Sequence, residues 1–174
     1  ADNETLQFVE QLKEEVSGKG NFVIGHSDVD LMIYDSEGNR IVRKQETNIG
    51  DFCADALRSF TDADIAMVNG GGIRTNIKRG EILFNDLYNV MPFGDMIATG
   101  TFYGEQLLDV LEFAVSALPA EAGTFMQVSG LRFTVDPDIP SPVMKDTETG
   151  MFSHVGEGER RVSHVEILDK QSGE

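Results

Sequence analysis

The chain has 174 residues and a mass of 19.1 kDa, enough for one domain with a real core and short for two independent ones. Apolar and charged fractions of 40% and 25% are ordinary for a globular fold, and no apolar run approaches the roughly 20 residues of a membrane helix. A formal charge of −16 excludes the overall basic footprint that DNA or RNA binding needs, but leaves room for a small anion held by local arginines.

In chain order, "NETLQFVEQLKEEVSG" sets Leu6, Val9, Leu12, Lys13 and Val16 at helical spacing and predicts a helix over residues 4 to 17, closing on Gly18. No signal peptide begins at Ala1; the acidic, amphipathic opening is expected alike of a mature secreted chain and of an excised fragment. "NFVIGHSDVDL" predicts a short strand. "EGNRIVRKQ" predicts a Gly-Asn turn followed by an extended arm bearing Arg40 and Arg43. A helix then starts near Asn48, with Ile49, Phe52, Cys53, Ala56, Leu57 and Phe60 on one face expected to be buried. Cys53 reads there as a small core residue, and one cysteine permits no internal disulfide.

"ADIAMVN" is a continuous apolar run, the pattern of a central strand covered on both sides. "LFNDLYNVMPFGD" predicts a short helix stopping before Pro92, and "MIATGTFYG" a strand. "GEQLLDVLEFAVSAL" is a strongly periodic helix ended by Pro119, and "FMQVSGLRFTVD" a strand with a kink or bulge at Gly130. Residues 136 to 161 are rich in Pro, Gly and charge and predict a long loop or hairpin excursion. "RVSHVEIL" closes the pattern as a strand with Val162, Val165 and Ile167 or Leu168 on its inner side.

Metal and nucleophile motifs are nearly absent: His26, His154 and His164 are scattered, and "GHSD" is a turn or surface stretch rather than a ligand set. The strongest local signal is "NGGGIR". It matches neither G-x-G-x-x-G nor a P-loop, and it reads as a phosphate cradle, a tight turn or a pocket wall. Asn69 and Arg74 flank the bare glycine backbone with an amide and a charged fork, which suit a hydroxyl, carboxylate or phosphate. In "MPFGD", Phe93 sits between a stiff proline and a free glycine, either as a ring on which a planar base stacks or as a core phenylalanine. Half of the 14 basic residues fall between Arg40 and Arg79, as solvated charges or as an anion site.

The ordered set "TNIG", "NGGGIR", "PFG" and "QVSG" resembles the C-terminal domain of the 5′-nucleotidase family, well over residues 40 to 135 and loosely elsewhere. The resemblance implies an α+β fold, a mixed sheet flanked by helices, with residues 1–19 as an interdomain connector helix and 20–174 as the domain. It implies a two-domain hydrolase whose N-terminal metallophosphoesterase domain carries two divalent metals. This chain, with no catalytic or metal residues of its own, would recognise a nucleoside or nucleotide and be inactive alone.

Carried over by position, the substrate-binding set is Arg43, Asn69, Gly71, Gly72, Arg74 and Phe93, with Arg40 close to a second family arginine. Asp95 stands where relatives often carry an uncharged residue. The family continues into a loop of the type F-x-x-x-G-G-D-G-[YF], which supplies a second stacking aromatic; nothing similar follows "VEILDKQSGE". The chain is therefore expected to be truncated and to hold half of an aromatic sandwich. The resemblance also implies an extracellular, cell-surface or periplasmic location. Cyclic-nucleotide phosphodiesterases and UDP-sugar hydrolases of the same family, or a non-catalytic assembly module, are the alternatives.

Overall fold

Helix α1 (Asn3–Gly20) starts where the Asp2 carboxylate accepts from Glu4 N, and it ends at Asn21, which leaves helical geometry with ψ 39. This comes from a computed structural model of the chain, which describes residues 2–168, residues 11–19 by their backbone alone. The helix runs on past Gly18, three residues beyond its expected end. Leu6 and Val9 of the expected stripe are 48% and 40% exposed; Leu12, Lys13 and Val16 lie outside the described side chains, and residues 169–174 outside the described chain.

Strand β1 (Val23–Ser27) pairs antiparallel with β3 (Gly80–Leu83). Between them Asp35 folds a turn by accepting from Glu37 N and Asn39 N through its side chain. The chain after Arg40 then curls instead of extending: Lys44 N and Gln45 N both donate to Ile41 O at 2.8 Å. The expected arm is thus a compact turn, because tertiary partners for its carbonyls, described below, favour the curled form.

Helix α2 (Asn48–Thr61) is capped by Thr47, whose Oγ1 accepts from Gly50 N at 3.1 Å. Its buried ridge is Ile49, Gly50, Cys53 and Ala54, while Phe52 and Phe60 are exposed, Phe60 by 80%. The expected face is therefore rotated. A Cβ on Gly50 would run into the Gln127 amide, so the small side of the helix lies against the sheet and the phenylalanines turn outward.

Strand β2 (Ala66–Asn69) pairs with β4 (Met126–Ser129), from Ala66↔Ser129 to Asn69↔Met126, and α2 packs across both. Helix α3 (Phe84–Val90) stops before Pro92 as expected. Residues 96–103, expected as a strand, form no ladder. Cavities of about 490 and 250 Å³ lie between this segment and the α2 and β2 residues facing it. The segment pairs with no described strand, and Met96 and Tyr103 are 93% and 82% exposed.

Helix α4 (Gly104–Val115) packs on β7 (Phe152–Val155) and β8 (Val162–Ile167). The chain breaks between β4 and β5 (Leu131–Val135) at Gly130, φ +78, where a Cβ would strike Asp64 O. β5 pairs with β8 through a bulge near His164, φ 49, which brings Val162 and Val165 to one core despite their odd spacing. The excursion at 136–161 is a hairpin of β6 (Val143–Lys145) and β7. The fold is α+β with helices beside the sheets, as expected; among the described residues the strands form small antiparallel sheets, four two-stranded ladders, in place of one mixed sheet.

Two apolar clusters hold these parts. One gathers Val42, Ile49, Val68, Ile73 and Val90 around α2; the other packs Leu107, Leu111 and Val115 of α4 on Phe125, Leu131 and Val162. Buried charge ties the second together: Glu112, 0% exposed, accepts from Arg161 N and Val162 N, and the Arg161 guanidinium donates to Val115, Ser116, Leu118 and Ile139 carbonyls.

Candidate functional site

Strand β2 delivers Asn69 to the glycine run, and the run is closed internally. Gly70 N donates to Phe125 O at 2.7 Å, Gly71 N to Gly123 O at 3.0 Å and Gly72 N to Asn69 O at 2.9 Å. All three glycine amides therefore have carbonyl partners, so the run is not a phosphate cradle. Two of the glycines have a packing reason: a Cβ on Gly70 would strike Val42 O, and one on Gly71 would lie 2.8 Å from the Gly123 backbone. Close approach of chain to chain, rather than positive φ, fixes these positions.

This loop anchors the cations. Gly71 O accepts from Arg74 Nη1 at 2.9 Å and from Arg43 Nη2 at a longer 3.4 Å. Arg74 N donates to Val90 O at 2.9 Å, tying the loop to the end of α3 and so to the Pro92–Gly94 turn, where Gly94 has φ +65. That turn holds Phe93 60% exposed, with the Arg74 guanidinium 5.6 Å from its ring centroid. The core alternative for Phe93 is thereby removed.

Arg40 pairs with Glu121 at 2.7 Å. Burial, and then the charges of Arg40 and Arg74, hold the Arg43 guanidinium below its ordinary pKa, with Glu121 acting in the opposite sense. Three guanidiniums thus share one electrostatic neighbourhood. The buried Nε of Arg43 has no hydrogen-bond partner. An anion placed here would relieve repulsion among the three.

Asn69 is exposed and donates from Nδ2 to Gly123 O at 3.2 Å. It also lines the 490 Å³ cavity together with Met67, Met91, Gly94, Asp95 and Met96. The structure therefore joins Arg43, Gly71, Arg74 and Phe93 by direct contacts. Asn69 and Gly72 join through the loop backbone, and Arg40 through its charge.

Sequence reasoning passed over the residues that hold this set in place. Gly123 O accepts from both Gly71 N and Asn69 Nδ2, and Ala122 N donates to Arg43 O at 3.0 Å. Gln127, 1% exposed, bonds the Arg43 turn from β4. In the sequence it stands as the first residue of "QVSG", a motif quoted for the family resemblance without a role for its side chain.

The remaining candidates stand apart. His26, His154 and His164 are exposed, and among the described residues no group of three His, Cys, Asp or Glu is placed to hold a metal. Cys53 is buried, and burial pushes its thiol up to about 11, as suits a core residue. No helix among the described residues is long and apolar enough to cross a membrane.

Comparison with known proteins adds a family. A family profile described as "5'-nucleotidase, C-terminal domain" matches residues 23–171. The trifunctional nucleotide phosphoesterase protein YfkN of Bacillus subtilis is 37% identical over 136 residues, which are 75% of this chain and 9% of that protein. A 5'-nucleotidase of Vibrio parahaemolyticus is 33% identical over 79% of this chain and 24% of its own length. The solved 5'-nucleotidase precursor of Thermus thermophilus superposes with a TM-score of 0.71 at 29% identity, over 96% of this chain and 29% of the other. The chain thus spans a quarter or less of these two curated relatives.

Proposed function

The chain belongs to the 5′-nucleotidase C-terminal domain family, and on that premise we propose that it recognises the nucleoside or nucleotide substrate of a metal-dependent phosphoesterase. Phe93 stacks on one face of the base. Arg43, Asn69 and Arg74 hold ribose or phosphate oxygens, and Gly71 and Gly72 line the site through their backbone.

One observation carries the reading: the Gly71 carbonyl gathers Arg43 and Arg74 beside a phenylalanine ring left open to solvent. A fork of cations next to a free aromatic face suits a ligand that is planar at one end and anionic at the other.

Hydrolysis itself, in this proposal, would fall to a metallophosphoesterase domain outside these residues, whose two divalent metals would supply Lewis-acid chemistry that no residue of this chain is assigned. Residues 1–19 connect the two, and the protein works outside the cytoplasm. Cyclic nucleotides and nucleotide sugars are the competing substrates within the same reading. The test is calorimetric titration of adenosine and AMP into the full-length protein, repeated with Arg74→Ala and Phe93→Ala. Unchanged affinity in both variants would sink the nucleotide site and favour an assembly module.

A further inference from the structure

We propose that Gln127 is a positioning residue that fixes Arg43 for its ligand; the proposal rests on the ligand role given to Arg43 above. Gln127 lies on β4 opposite Val68 and is 1% exposed. Its Oε1 accepts from Thr47 N at 3.0 Å and from Thr47 Oγ1 at 3.4 Å. Its Nε2 donates to Val42 O at 2.9 Å and to Gln45 O at 2.7 Å. The amide therefore clasps the backbone on both sides of Arg43 and joins that turn to the cap of α2.

The head of Arg43 has weak tethers by comparison. Its guanidinium reaches Gly71 O only at 3.4 Å, and its Nε has no partner. Where the cation sits is thus decided by where the turn sits, and Gln127 decides that. The residue type is demanding. Two carbonyls need donors and Thr47 needs an acceptor, so an ionised glutamate would face Val42 O and Gln45 O without a proton to give, and methionine would satisfy neither.

The experiment is a double-mutant cycle in the full-length protein, reading AMP affinity by calorimetry for Gln127→Met, Arg43→Ala and the pair. Melting temperatures are measured alongside, and titrations are run well below all of them. With Arg43 present, Gln127→Met weakens AMP by about tenfold; with Arg43 already alanine it weakens AMP no further, although stability falls in both backgrounds. Gln127→Glu keeps size and acceptor, loses the donors, and serves in the same cycle should the methionine variant not fold. Equal losses in both backgrounds, or none in either, overturn the positioning role and leave the nucleotide reading standing. Unchanged AMP affinity in Arg43→Ala overturns the reading of Arg43 and the positioning role with it.

Discussion

The guanidinium of Arg74 lies 5.6 Å from the centre of the Phe93 ring, while its Nη1 is held by Gly71 O at 2.9 Å. The cation is fixed by the glycine loop, so the ring is steadied from one side and its remaining surface stays open. Phe93→Ala is expected to weaken adenosine and AMP alike by roughly 1–3 kcal/mol, the worth of one base on one ring. Phe93→Tyr retains most of the affinity, and Phe93→Leu does not. Calorimetry on the full-length protein checks this, and equal binding by the leucine and tyrosine variants would remove stacking from the account.

Arg40 and Arg74 each repel the charge on Arg43, while Glu121, paired with Arg40, acts on it in the opposite sense. A phosphate-bearing ligand should therefore feel ionic strength, and a neutral nucleoside should not. Raising salt from about 0.05 to 0.5 M shortens the screening length to a few ångströms and is expected to weaken AMP severalfold while leaving adenosine nearly unchanged. Parallel salt curves for the two ligands would place the phosphate elsewhere.

Much of this was legible in the sequence, and the failures share a cause. Helix α2 was found from its periodicity, but its buried side was misjudged, because Phe52 and Phe60 are the larger apolar residues and yet the Gly50 edge is what fits against Gln127. The stretch 96–103 carries a strand's composition but pairs with no described strand, and cavities lie between it and residues of α2 and β2. Local preference names an element; a neighbour is needed to complete it. The candidate site residues are read from motifs, whereas the side-chain bonds through which Gln127, Glu121 and Gly123 hold them span 54 to 85 positions, a pairing that no local pattern records.

The glycine run makes a stability prediction that does not involve ligand. A Cβ on Gly70 would meet Val42 O, a backbone atom that cannot rotate away, whereas one on Gly104 meets nothing within 4 Å. Gly70→Ala is expected to cost about 1–3 kcal/mol, as overpacking does. Gly104→Ala, in the open first turn of α4, should stay within about 0.5 kcal/mol of the parent. Chemical denaturation of both variants decides it, and equal midpoints would mean that the turn before Arg43 yields freely.

Asp51, in the first turn of α2, gives the fold a pH dependence. Burial first, and then repulsion from Glu46 and Asp55, raise its carboxyl from the ordinary 3.8 to about 6. A folded-state pKa above the unfolded one means that the folded chain holds this proton more tightly. The contribution is full below the unfolded pKa and is lost as pH rises through the folded pKa, so this group lowers stability between pH 4 and 6. The N-terminal dipole of α2 favours a negative charge there, but burial and the two neighbouring carboxylates outweigh it. Asp51→Asn removes the titration. Its melting temperature should match the parent near pH 4, rise above it through pH 6, and keep a constant advantage at pH 7. A difference that does not vary over that range, or an asparagine variant less stable at pH 7, would show that Asp51 does not titrate as its surroundings require.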